Sequence, residues 1–186
     1  MIKTRHDLFN YIQADRKAQG MRHPLLAKLT FGENAMIRKY MTILRKAEYW
    51  KVHSEKIVGK LMFAYYFLRY RRMCLRYGIH IGLNAVGKGF FIVHPGFIRI
   101  DSWVHIGENC TVLPMVLFGR AHPIGNTEIF VGDNCYVGTG STILGPIKIG
   151  NNVTIAAGAV VTKDVPDNVV VAGVPARIVK YKNNVE

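Results

Sequence analysis

The sequence predicts a helical N-terminal region followed by a parallel β-solenoid wound as a triangular coil. Three observations carry this. Apolar residues recur at helical spacing up to about residue 77. Beyond it, glycine and β-branched residues dominate and an apolar residue returns every six positions. The charge divides the same way: residues 1–90 hold 18 Lys/Arg against 5 Asp/Glu and residues 91–186 hold 7 against 7, so the whole formal charge of +13 falls in the first half.

The helical elements come first. "HDLFNYIQADRKAQG" offers Asp7 as an N-cap, Leu8, Tyr11 and Ile12 on one face, and Gly20 as a stop. "NAMIRKYMTILRKAEYW" places Ile37, Met41, Leu44 and Tyr49 on a broad stripe with basic residues between them. "SEKIVGKLMFAYYFLRYRRMCLRYG" is a third helix ending at Gly78. Its mixture of aromatic and basic residues suits RNA or a membrane surface; packing in the core or against a partner chain is the plainer expectation. Most of the basic charges are read as a solvated helical surface.

The repeat follows. Val131, Val137, Ile143, Ile149, Ile155 and Val161 stand six apart without a miss, and four residues after each come Cys135, Ser141, Ile147, Val153, Ala159 and Val165. The same phase covers Ile100, Ile106, Val112 and Phe118, with Val104, Cys110 and Val116 as partners. Six is neither the helical period nor hairpin alternation. Two inward positions per six residues describe a short strand and a turn, stacked so that each coil buries its face only against its neighbours. The expected domains are a helical region over 1–77, the β-helix over 78–180 and a tail over 181–186.

Composition excludes several classes. Hydrophobic residues make up 49% of the 186, which supports a sizeable core and argues against disorder. Three scattered cysteines, Cys74, Cys110 and Cys135, form neither a disulfide framework nor a zinc site. No metal is expected. The opening "MIKTRHDLFNYIQADRK" is polar, so no signal peptide is expected. The longest uncharged run in the helical part, Leu61 to Leu68, is too short to span a bilayer. The chain reads as soluble and cytoplasmic.

These repeats, with "VVVAGVPARIVK" near the end, resemble the hexapeptide-repeat acyltransferases, whose fold is a left-handed parallel β-helix. "GIHIGLNAVGKGFFIVH" and the "HP" at 122 and 123 resemble the serine acetyltransferase branch, which also carries a helical N-terminal domain. The resemblance implies acetyl-CoA as co-substrate and a homotrimer with active sites between neighbouring β-helices.

The repeat breaks twice, and breaks in a regular pattern point to function. Val86 and Ile92 keep one phase; Ile100 and Ile106 keep another, displaced by two residues, with His94-Pro95-Gly96 at the slip. A slip frees a side chain from the core, and "GKGFFIVH" matches the family's catalytic histidine, so His94 is the expected catalytic base. The second break is "RAHPIGNTE" over 120–128, a polar loop that leaves the coil. His122 there aligns with a second family histidine near the acceptor.

Histidine titrates near neutral pH and suits the task of deprotonating an acceptor hydroxyl. His94 would take that proton as the oxygen attacks the thioester carbonyl of acetyl-CoA, with a main-chain N–H stabilising the oxyanion. The cysteines, at inward positions, are not nucleophiles. The family's CoA-binding positions fall on Gly119, Thr139 and Ala157, beside Gly140 and Gly158, with Lys163 and Arg177 placed to meet the CoA phosphates.

Three departures bear on the acceptor. Gly78 stands where the family has an aspartate that orients the catalytic histidine, Val93 where it has an acid, and Ala121 where it has an arginine. Asp101 is the candidate replacement carboxylate for His94. The sequence therefore leans to a small-molecule or glycan acceptor, a sugar hydroxyl of a surface polysaccharide, with L-serine as the alternative. A non-catalytic structural or binding β-helix is the reading of another class. The basic half allows peripheral association with the inner membrane surface; nucleic acid is not an expected partner.

Overall fold

A computed structural model of the chain describes residues 1–20, 32–122, 124–125 and 127–182. Three helices, α1 (Arg5–Ala18), α2 (Glu33–Val52) and α3 (Ile57–Tyr77), precede the strands. The N-cap of α1 is Thr4, not Asp7. Thr4 Oγ1 accepts from the Asp7 N–H at 3.0 Å and the Asp7 carboxylate accepts from the Thr4 N–H at 2.8 Å. This reciprocal pair satisfies two N–H groups at the helix start, so the helix begins earlier than a lone Asp7 cap would place it. The main-chain donors of Thr4 and Lys3 hold the Asp7 carboxyl below the usual range.

Ile37, Met41, Leu44 and Tyr49 of α2 are all buried, as their spacing predicts. α3 ends at Gly78, whose φ of 69° is the left-handed cap that glycine adopts without strain. Tyr70 of α3 donates to the Ile81 carbonyl, and Tyr40 of α2 donates to the Ile79 carbonyl at 3.3 Å. Two buried phenols thus fix the first strand to the helices. No helix among the described residues is long and apolar enough to cross a membrane.

From Ile79 the chain winds around three faces. Face A holds β1 (Ile79–Ile81), β3 (Ile98–Ile100), β6 (Val116–Arg120), β9 (Thr142–Gly145) and β12 (Val160–Val161). Face B holds β4 (Val104–Ile106), β7 (Ile129–Val131) and β10 (Ile147–Ile149). Face C holds β2 (Phe91–Ile92), β5 (Thr111–Val112), β8 (Tyr136–Val137), β11 (Thr154–Ile155) and β13 (Val169–Ala172), with β14 (Arg177–Tyr181) antiparallel at its end. All other pairings are parallel. Every residue at the two six-spaced positions is buried, so one continuous core fills the coil and joins α2.

The corner between faces B and C turns on an asparagine with positive φ in four successive coils, Asn109, Asn134, Asn152 and Asn168, and on Gly89 in the first, while Asn84 takes that conformation at the preceding corner. Asparagine tolerates that conformation better than other non-glycine residues, a signal the six-residue period alone does not display.

The largest departure from expectation lies between the helices and the coil. Arg45 of α2 is completely buried. Its Nε meets Asp15 at 2.9 Å, its Nη1 meets Glu48 at 3.1 Å, and it donates to the carbonyls of Val86 and Gly87 at 2.9 and 2.6 Å. Asp15 also accepts from the N–H groups of Gly89 and Phe90, and Glu48 from that of Asn84. Burial alone would lower the Arg45 pKa; Glu48 and Asp15 more than offset it and hold the guanidinium above its ordinary range. These charges are not a solvated surface: they clamp α1, α2 and the first coil together.

Candidate active site

The slip at His94 is visible in the register. Val112 reaches Val116 in four residues, whereas Ile92 takes six to reach Ile98, and these pairs lie side by side in the stack. The two extra residues bulge outward at 93–97, on the edge where face C turns into face A. Gly96 lets the bulge rest on Pro114, whose Cβ would stand 3.1 Å from any Cβ placed there.

His94 is exposed, and its Nδ1 lies 2.9 Å from Oε2 of Glu33, at the start of α2. An ionised carboxylate only accepts, so this contact places the proton on Nδ1 and leaves the Nε2 lone pair open to a substrate. Glu33 was not legible from the sequence: it stands 61 residues away, outside the repeat.

Asp101 does not reach His94. Strand β3 crosses face A between them, so they sit on opposite edges of that face. Asp101 is taken up by Arg99, at 3.1 Å, and by His80 Nε2, at 3.3 Å. Burial and the Arg99 charge push the His80 imidazole below the usual histidine range, which favours the neutral ring as donor to Asp101. Removing the Glu33 charge is the direct check on which carboxylate serves His94. In the acetyl transfer that the sequence resemblance implies, Glu33→Gln is expected to lower kcat about tenfold or more with KM for acetyl-CoA unchanged, and Glu33→Asp to recover part of it. Asp101→Asn is expected to leave kcat near wild type in the same assay.

His122 lies at the base of the second break. The pairings Val104 with Ile129 and Ile129 with Ile147 differ in span by seven residues, all of them between Arg120 and Ile129. His122 is exposed on the edge between faces A and B; Pro123 and Asn126 of this loop lie outside the described residues. Face A therefore separates His122 from His94 within one chain.

The expected CoA positions divide between edges. Thr139, Gly140, Ala157 and Gly158 stack on the C–A edge, the same edge as His94. Thr139 Oγ1 donates to the Pro114 carbonyl at 2.7 Å, Gly140 donates to the same carbonyl, and Gly158 donates to Thr139. The N–H groups of Thr139 and Ala157 meet no acceptor among the described residues. Arg177, exposed, pairs with Ala172 at the far end of this edge. Gly119 instead lies on face A, in a groove of about 510 Å³ that runs from Phe97 past Arg99 and Asp101 to Arg120. Lys163 is exposed on the A–B edge with His122.

Cys74, Cys110 and Cys135 are buried. Cys110 and Cys135 donate to the carbonyls of Gly132 and Gly150 inside the coil, which fits packing and not nucleophilic work. Among the described residues no cluster of three ligating side chains could hold a metal ion.

Comparison with known proteins bears on the fold and the family likeness. Residues 128–163 match the family described as bacterial transferase hexapeptide (six repeats). The serine acetyltransferase of Synechococcus elongatus is 37% identical over 108 residues, 58% of this chain and 43% of that protein. The galactoside O-acetyltransferase of Escherichia coli K12 is 34% identical over 110 residues, 53% of this chain and 54% of that protein. A soybean serine acetyltransferase solved with serine superposes with a TM-score of 0.69 at 26% identity, over 92% of this chain and 69% of that one. The matches span less than half the length of the curated serine acetyltransferases at the head of the comparison. The class is thus the left-handed parallel β-helix built on hexapeptide repeats, an exception to the usual right-handed crossover. Within that class the similarity runs to the serine acetyltransferase-like branch, and it extends over the N-terminal helices as well as the coil.

Proposed function

We propose that the chain is an acetyl-CoA-dependent O-acetyltransferase, that it works as a homotrimer, and that L-serine is its acceptor. The observation that carries the reading is His94, held through Nδ1 by Glu33 with Nε2 open on the edge where Thr139 and Ala157 present unpaired N–H groups. Nε2 takes the acceptor's hydroxyl proton as its oxygen bonds to the thioester carbonyl carbon. The tetrahedral intermediate collapses, the carbon–sulfur bond breaks, and the proton passes from His94 to the departing thiolate. Main-chain N–H groups along the C–A edge offer donors to CoA, and Arg177 offers a cation to its phosphates.

The placement of the two histidines supports a site shared between subunits, as the family's trimer would provide. His94 and His122 stand on opposite edges of face A, so they meet only if the A–B edge of one subunit packs against the C–A edge of the next. Repeated three times, that contact closes a ring.

The choice of serine reverses the lean of the sequence toward a glycan. It is supported by the relatives named serine acetyltransferase and by a superposition that takes in the helices. A sugar hydroxyl stands as the second reading, favoured by the uncharged Gly78 and Val93, where an ammonium would need acids, and by the galactoside relative. The test is thiol release from acetyl-CoA by purified protein with L-serine and with a panel of sugars and nucleotide sugars. Turnover with serine is the expected result. Turnover with sugars alone would move the protein to glycan modification, and silence with every acceptor would favour a non-catalytic β-helix.

A further inference from the structure

Helix α3 buries one side and leaves the other bare. Gly59, Tyr70 and Cys74 face the core. Val58, Leu61, Tyr65, Leu68 and Leu75 do not: they are exposed by half or more, Leu75 by 84%. Spacings of three, four, three and seven residues keep them on one stripe along a helix of 21 residues, with Arg72 at the position skipped between Leu68 and Leu75, and Ile57, 77% exposed, lies at its start. An aliphatic stripe of this length is not ordinary surface.

The same helix carries Lys60, Arg69, Arg71, Arg72 and Arg76, with Lys56 at its N-cap, and no acidic residue occurs between Glu55 and Asp101. None of the ion pairs among the described residues involves any of these six cations. Lys39 of α2 joins Arg69, Arg72 and Arg76 around a groove of about 640 Å³, with Leu75 and Tyr77 in its wall. Cations thus line a recess that opens directly beside the apolar stripe.

We infer that this face of α3 docks on an anionic lipid surface, with the stripe entering the acyl boundary and the cationic groove taking a lipid phosphate. Charge complementarity selects this occupant. A second copy of the chain paired through α3 would bring basic residues against basic residues along the whole contact, with only Glu55 to offset them. Single-stranded nucleic acid would match the charge but gains from aromatic platforms, and the exposed apolar side chains here are aliphatic apart from Tyr65. An acyl boundary with anionic headgroups matches both features at once. The proposal is independent of the acceptor and of acetyl transfer.

The test is co-sedimentation of the full chain with vesicles of phosphatidylcholine alone and of phosphatidylcholine mixed with phosphatidylglycerol. The protein is expected in the pellet only with the mixed vesicles, and less of it as salt rises. Arg72→Gln/Arg76→Gln is expected to reduce partitioning about thirtyfold, roughly fivefold per charge. Leu61→Gln/Leu68→Gln is expected to reduce it about tenfold or more. All four side chains are exposed, so circular dichroism and thiol release from acetyl-CoA should match wild type. Equal partitioning of wild type and both variants, or none with anionic vesicles, overturns the proposal. So does a Leu61→Gln/Leu68→Gln protein whose mass in sedimentation velocity drops while its vesicle binding persists, since the stripe would then belong to a second copy. Binding of a single-stranded RNA oligomer or of inorganic phosphate by a protein that ignores vesicles would also overturn it.

Discussion

His94→Ala is expected to lose about a thousandfold in kcat for acetyl transfer, within the range a positioned general base contributes. The fold should not notice. His94 is exposed, sits on an outward bulge, and among the polar groups of the described residues touches only Glu33. Thermal unfolding of the variant should therefore superpose on that of wild type while thiol release falls away. A variant that keeps turnover within a few fold would remove His94 from the chemistry and leave the bulge without a catalytic purpose.

The same substitution tests how the site is assembled. His122→Ala is also expected to be impaired, because in the proposed trimer the second histidine would close the site from the neighbouring subunit. Mixing the two inactive variants, unfolding and refolding them together, should then restore activity. In a randomly mixed trimer about a quarter of the sites pair an intact His94 with an intact neighbouring His122. Recovery near that level would place the site between chains. No recovery, despite mixed trimers seen by mass spectrometry, would place both histidines on one chain's own surface and sink the shared-site reading.

The coil was legible because its geometry imposes itself on every sixth residue. An inward position admits only a side chain that packs, so Val131 through Val161 and their partners announce themselves without reference to anything distant. The slip at His94 and the loop at His122 were legible for the converse reason, as interruptions of an otherwise strict count. What escaped has no period. Glu33 serves His94 from another element, and nothing in "GENAM" marks its second residue as facing a histidine. Asp101 is suggested by the slip, which sets it on the turn after His94, but seven residues across a strand carry a side chain to the opposite edge. Arg45 looked like one more cation on a basic helix; burial is decided by what packs over α2, and that information lies in α1 and the first coil.

Arg45 is where the second large effect is expected. Arg45→Met keeps the length and much of the volume of the side chain but removes the one positive charge between two buried carboxylates. Breaking a buried pair from one side costs about 3–5 kcal/mol, because the remaining buried charge is left without its counter-charge. Here two carboxylates and two carbonyls, of Val86 and Gly87, lose the same donor. Urea denaturation should report a loss of that size, with the midpoint falling accordingly. Arg45→Lys should recover little of it, since one ammonium cannot reach four acceptors arranged for a planar fork. Nor should an apolar replacement of all three charged residues be neutral, as it can be for an isolated buried pair. Asp15 and Glu48 also accept from the main-chain N–H groups of Gly89, Phe90 and Asn84, and removing them strands those donors in the core. A loss below about 1 kcal/mol for Arg45→Met would mean that water enters the site and that the clamp between helices and coil is held by the Tyr40 and Tyr70 contacts instead.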